Sequence, residues 1–273
     1  MNKLATDKQE MIIRALVEGV SIRSIERMTG VHRDTIMRLL VSVGSTCGQI
    51  MDITMRDLPC KDIEVDQIWS YVGKKQRHVN MDDNPNEVGD FWTFVAIDSE
   101  TKLIPSYKVG KRDLPTTQAF INDLASRLRN RIQLSSDKLA LYVTSVENSF
   151  GGDVDYGQIV KSYESEPMGP GRYSPPKVVA VEKEYIVGSP DPKKISTSYV
   201  ERQNLTIRMQ MRRFTRLTNA FSKKLENLKA AVALHFTHYN FVRIHSSLRV
   251  TPAMEAGIEK NMWTVRDLIE MAN

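Results

Sequence analysis

The stretch from Thr197 to Asn227, TSYVERQNLTIRMQMRRFTRLTNAFSKKLEN, constrains the fold more than any other. It reads as a helix that starts at Ser198, with Val200, Ile207, Met211 and Phe214 recurring at helical spacing. Those side chains need a core to face, so the helix must lie against other elements. Glu201 is its one early carboxylate, and Arg202, Arg208, Arg212, Arg213 and Arg216 follow with no further acid before Glu226. A single acid ahead of a basic stripe suits a site that holds a metal ion and a phosphate backbone together. Ser198-Tyr-Val-Glu201 equally fits a capping box, in which the glutamate folds back onto the cap residue's N–H.

The chain has 273 residues, room for one large domain or for a small domain and a medium one. Its net charge of +5 permits a polyanionic partner, provided that the charge is clustered. The two cysteines, Cys47 and Cys60, show no metal-ligand spacing and imply no disulfide framework. The N-terminus lacks the apolar segment of a signal peptide, and no apolar run is long enough to cross a bilayer. These features lead us to expect a soluble protein of a reducing compartment, the cytoplasm.

Residues 4–45 read as three short helices, with Gly19 and Gly30 at the turns. Short helix, glycine-containing turn and second helix is a helix-turn-helix signature. In that motif the third helix enters the major groove. His32, Arg33, Asp34 and Thr35 are then the candidate base readers, and Arg23, Arg27 and Arg38 lie on the exposed basic face. A plain helical bundle with a solvated basic face has the same pattern. Residues 46–61 read as a polar linker ending in Leu58-Pro59-Cys60.

From Ile63 the period changes. IEVDQIWSYVG reads as a strand with Asp66 inside it, an expensive residue to bury without a hydrogen-bond partner or a cation. FWTFVAIDSETKLIPSYKVG reads as a hairpin turning at Asp98, and Leu114 to Arg129 as a helix with Phe120, Ile121 and Leu124 buried. A short strand then ends at Asp137, where a carboxylate suits either chemistry or helix capping. Residues 151–196, with Asp153, Asp155 and a strand-like stretch KVVAVEKEYIVG, read as an insertion. Ser222 to Phe241 reads as another helix, and residues 255–273 as a helical tail. His235, His238 and His245 suit packing or phosphate contacts better than a metal site. Asp66, Asp137 and Glu201 come from three elements in an order that lets them converge, and two hard divalent cations fit such an oxygen set.

The blocks VDQIWSYVGKKQ, FWTFVAIDSETKLIPSYKVG, DLASRLRNRIQL, ISTSYVERQNLTIRMQMRRFTRLTNAFSKKLEN and ALHFTHYNFVRIHSSLRVTPAMEAGI carry a resemblance over nearly the whole chain. The chain resembles the insertion-sequence-one family of bacterial transposases, of the RNase H-like, integrase-like group. The resemblance implies an α/β, RNase H-like catalytic domain over about 62–254, a mixed sheet flanked by helices, preceded by a small all-α helix-turn-helix domain over 1–45. It implies Asp66, Asp137 and Glu201 as metal-binding catalytic acids and Mg²⁺ or Mn²⁺, two ions, as cofactor. It implies double-stranded DNA as partner, both element ends and target, with Arg208, Arg212, Arg213 and Arg216 holding it near the cut. The implied reaction nicks the terminal inverted repeats with an activated water. The freed 3′-hydroxyl then attacks a target phosphodiester. A homo-oligomer on paired ends in a bacterial cytoplasm, associated with the nucleoid, follows from the same resemblance, with no membrane and no small-molecule substrate. The chain departs from the family pattern at Gln67, where Glu is usual, and at Lys138-Leu139, where Gly-His is usual, and it has no zinc module. The second departure motivates an alternative, a catalytically inactive transposase-derived DNA-binding regulator.

Overall fold

The structure, a computed structural model, describes residues 4–164, 177–215 and 218–273. The chain opens with helices α1 (Thr6–Val17), α2 (Ile22–Thr29) and α3 (Arg33–Thr54). Ser21 caps α2 by accepting from the Ser24 N–H at 3.1 Å, and Gly30 ends it in the left-handed conformation. Ile12, Ile25, Val31 and Ile36 form a small core of their own.

α3 does not stop where a linker was expected. It continues through residues 46–54 because Cys47 and Met51 extend the buried face set by Leu40, Val43 and Gly44. Its end is held by Arg127, whose guanidinium donates to the Met51 and Met55 carbonyls at 3.0 and 3.1 Å. The linker is thus confined to the residues after Thr54. The helical head and the body of the protein share one continuous helix.

The strands are β1 (Asp62–Val72), β2 (Gly89–Asp98), β3 (Tyr107–Gly110), β4 (Ile132–Asp137), β5 (Val154–Glu164) and β6 (Lys177–Val187). Among the described residues they form one six-stranded mixed sheet in the order β3-β2-β1-β4-β5-β6. β1, β2 and β3 are antiparallel neighbours, whereas β4 runs parallel to both β1 and β5. This topology is compatible with an RNase H-like fold. β5 was expected to lie in an insertion, but it is integral to the sheet. Its polar sequence hid it: Val154 and Tyr156 point inward, and the next inward position is Gln158, whose amide is satisfied by Tyr156 Oη and the Asp137 carbonyl.

Helices α4 (Leu114–Arg127) and α5 (Ala140–Phe150) cover one sheet face, where Phe94 meets Phe120 and Tyr142. α4 is capped by Asp113, not by the threonines that follow. The other face carries α6 (Ser198–Gln210) and α7 (Leu225–Thr237), with Tyr107 packed on Phe236 of α7. α6 is shorter than its sequence suggests. Met211 and Phe214 are buried as expected, but Met211 adopts an extended conformation and Arg212–Phe214 form a 3-10 turn. The pull comes from the segment beyond, because Ser222 bridges Val72 at the end of β1 and its hydroxyl receives the Arg213 Nε–H at 2.8 Å. α7 ends in a π turn, His238–Val242. α8 (Pro252–Glu255) and α9 (Val265–Met271) close the chain. α9 returns to the head, where Arg266 pairs with Asp7 and Glu10 of α1. No helix among the described residues is long and apolar enough to cross a membrane.

Two glycines permit close backbone approaches. Gly19, at φ +74°, turns α1 into α2 directly against the Met209 carbonyl at the end of α6. Gly44 lets α3 touch the α7 backbone, and a Cβ there would meet the Ala230 carbonyl oxygen at 2.3 Å. Helix propensity alone favours Gly44→Ala by roughly 1 kcal/mol. The obstructing atom is backbone and cannot rotate aside, so overpacking of about 1–3 kcal/mol outweighs that gain. Gly44→Ala is therefore expected to lower the stability measured by urea denaturation, whereas alanine at exposed Gly152 leaves it nearly unchanged.

Candidate active site and basic groove

β1 and β4 run parallel with Val65 opposite Ser136. One step further along each strand lie Asp66 and Asp137, so the register alone sets these two acids side by side. Alternation along β1 points Glu64 and Asp66 to the face that carries α6, and Gln67 to the face that carries α5. Asn204 of α6 donates to Asp66 Oδ2 at 2.7 Å. On the other face Gln67 donates to Asp137 Oδ2 at 3.2 Å and accepts from the Tyr142 hydroxyl at 2.9 Å.

Glu64 fixes the start of α6. Its buried carboxylate accepts from the Tyr199 and Val200 N–H groups at 2.7 and 3.0 Å. The orphan donors of a helix N-terminus are thereby satisfied from the neighbouring strand. Glu201 is released from the capping-box role that its sequence context allows. It accepts instead from the Thr197 hydroxyl at 2.7 Å and pairs with Lys161 of β5. The capping alternative for Asp137 survives only in part, because Asp137 Oδ1 accepts from the Leu139 N–H at 3.2 Å while its other oxygen faces Gln67.

Burial pushes the Asp66 carboxyl up to about 7, and the negative charges of Asp137 and Glu201 add to the rise. The Gln67 N–H and the Lys161 ammonium oppose it. Burial also raises Glu64, against the two helix N–H groups that favour its ionised form. Asp66 senses the charges of the other two, and each acid is held by a neighbour of its own: Asn204, Gln67 and Lys161. Among the described residues no group of three His, Cys, Asp or Glu side chains is close enough to hold a metal ion. The donor chemistry nonetheless suits a hard cation, and Asn204 Oδ1 is a buried oxygen without a partner beside Asp66.

The reserve acids lie elsewhere. Asp98 is buried in its turn and accepts from the Thr101 N–H and hydroxyl at 2.8 and 2.6 Å. Asp153 and Asp155 flank Arg131 at the opposite end of the strands, and Asp155 is lowered to about 2 by that guanidinium. Lys138 reaches outward to Glu184 of β6, and Leu139 packs against the core. His235 and His238 are buried and pushed down to about 3 and 4, mainly by desolvation, so both are neutral packing residues. Cys47 is buried and pushed up to about 12, and burial raises Cys60 further.

Arg23, Arg27, His32, Arg33, Asp34 and Arg38 are exposed and Thr35 half-buried, with His32 and Asp34 tied to each other at the start of α3. A groove of about 980 Å³ separates α2 and the start of α3 from the segment after α6. Arg23, Arg33 and Arg38 line one wall, and Arg212, Arg213, Lys223 and Lys224 the other. Two sets of arginines nearly two hundred residues apart in sequence thus meet around one groove. Arg213 contributes less than its sequence suggests. Its guanidinium faces Ser222 and the Met37 sulfur, and burial lowers it to about 10. Arg208 is half-buried on α6. Arg216 lies outside the described residues.

The chain matches no protein-family model and no curated protein. Glu64, Asn204 and Lys161 are site residues that the sequence reading missed. Glu64 stands two residues before Asp66 and Asn204 three after Glu201, so strand and helix periodicity point to both. Lys161 carries no such signal.

Glu64 and Asp66 of β1 can each be probed by denaturation. Glu64→Ala leaves two helix N–H groups unpaired and is expected to cost about 2–3 kcal/mol in urea denaturation. Glu64→Gln keeps an acceptor there, removes a buried charge, and costs much less. Asp66 has a folded pKa near 7 against about 4 unfolded. The folded state therefore holds a proton that the unfolded state releases, and stability falls as pH rises through that window. Asp66→Asn is expected to flatten this slope and to raise stability above neutral pH by about 2 kcal/mol, less than the full shift implies because Asp66 is only half-buried.

Proposed function

We propose that the protein is a DNA transposase of the Asp-Asp-Glu, RNase H-like kind, one that cuts DNA at element ends and joins them to a target. The observation that carries this reading is the placement of three acids around β1. Asp66 lies mid-strand, Asp137 at the tip of the parallel neighbour β4, and Glu201 in the first turn of the helix that Glu64 holds over them. Burial raises the Asp66 carboxyl and the charges of Asp137 and Glu201 add to the rise, an electrostatic state that a cationic ligand relieves. Asp66, Asp137 and Glu201 would hold Mg²⁺ or Mn²⁺, two ions, which when bound supply Lewis acidity to a phosphodiester. The first three helices serve as the helix-turn-helix reader of the terminal repeats, and the basic groove holds phosphates beside the site. A homo-oligomer on paired ends, in the bacterial cytoplasm and at the nucleoid, completes the reading.

A second reading is a DNA-binding regulator without catalysis. Lys138 is committed to Glu184, Leu139 to the core, and each acid to its own partner. Strand transfer separates the two readings. A labelled, pre-processed end oligonucleotide is incubated with a plasmid target and Mg²⁺ or Mn²⁺. The parent is expected to yield joined product, and Glu201→Gln less than one hundredth of it, with duplex binding equal in both. Specific end binding by the parent without joined product would establish the regulator instead.

A further inference from the structure

The face of β1 that carries Gln67 also carries Trp69 and Tyr71. Toward the middle of the strand this face is sealed, and Phe94, opposite Gln67, is 0% exposed. Two residues on, Trp69 is 43% exposed. Its ring lies 5.7 Å from that of Tyr71, which in turn stacks on Phe221 at 4.7 Å and 28°. Phe221 is held there by its neighbour Ser222, whose carbonyl accepts from the Gly73 N–H at 2.8 Å. The Lys75 ammonium stands 5.8 Å over the Tyr71 ring. Gln67, at the near end of this ladder, donates to Asp137. Phe221, at its far end, lines the basic groove next to Lys223 and Lys224.

Aromatic faces in series, opening into a cationic groove, are the two components that hold single-stranded nucleic acid without regard to sequence. A duplex keeps its base faces stacked inside and offers none to such a ladder. We propose that Trp69, Tyr71 and Phe221, with the basic groove beyond them, form a track for an unpaired DNA strand leaving the acidic site. This rests on the transposase reading and adds its substrate form: the strand at the cut is unpaired on the Trp69 side.

The test is fluorescence anisotropy with labelled oligothymidylate and a hairpin duplex, in buffer without divalent cations. Trp69→Ala and Phe221→Ala are each expected to weaken oligothymidylate binding about tenfold and to leave duplex binding within twofold. Trp69→Phe keeps a stacking face and is expected to bind like the parent. Lys223→Ala with Lys224→Ala is expected to weaken binding and to lower the salt slope by about 0.7 for each phosphate that is no longer neutralised. Circular dichroism and urea denaturation identify any variant that fails to fold, and Trp69→Phe then carries the comparison through its retained binding and the lysine pair through its slope. Oligothymidylate binding unchanged in Trp69→Ala, or duplex binding reduced equally, overturns the track. The two readings fail separately. Joined product from the parent beside an unaffected Trp69→Ala sinks the track alone, and a parent that joins nothing but binds single strands through Trp69 sinks the transposase reading alone.

Discussion

A buried carboxylate that serves as the floor of a helix organises this site. Glu64 is almost fully removed from water, a costly position for an acid, and it is tolerated because two backbone N–H groups of α6 point at it. The same contact fixes the height and rotation of α6 over β1. Every other feature on that face is referred to it. Asn204 reaches Asp66 because α6 starts at Glu64, and Glu201 points toward β5 because its capping work is already done by another residue. The sheet supplies the remaining precision, since parallel register brings Asp66 and Asp137 level without any contact between their side chains.

The charge pattern has two parts that differ in kind. Around β1 the acids outnumber their cations: Lys161 pairs with Glu201, while Asp66 and Asp137 each receive only an amide hydrogen bond, from Asn204 and Gln67. Around the groove the excess is positive, and its arginines come from the N-terminal helices and from the segment after α6. In the function proposed, the cationic groove would bring a polyanion's backbone to acids that repel it. Backbone contacts at Gly19 and Gly44, where nothing larger than hydrogen fits, press the helical head against α6 and α7.

Much of this was legible from residue spacing. Val200, Ile207, Met211 and Phe214 are all buried, as their periodicity required, and Asp98 proved a turn residue. The misreadings share a cause, which is that tertiary partners overrode local pattern. The residues after Cys47 look polar enough for a linker, but α7 lies against them and keeps them helical. β5 looks like an insertion because its inward positions include Gln158, which is acceptable only beside the Tyr156 hydroxyl and the Asp137 carbonyl. α6 ends early because Ser222 and Arg213 draw the chain back to β1. The aromatic ladder escaped notice for a similar reason, since Phe221 joins Trp69 and Tyr71 only through the sheet.

The unbroken course of α3 bears on how a chain like this evolves. At 1.5 Å per residue its 22 residues span about 33 Å, from the exposed basic end of the head to the core beneath the sheet. A recognition module joined by a flexible tether can be exchanged for another without disturbing its enzyme. Here the first residues of the helix, Arg33 and Asp34, stand clear of the core; Ile36, Leu40 and Val43 are already buried, and at Gly44 the helix meets α7 with no room for a methyl group. If the head reads DNA as proposed, selection for a new binding preference can act freely on the exposed residues at the start of α3. Wholesale replacement of the head would have to preserve the helix's phase, residue by residue, all the way into the interior.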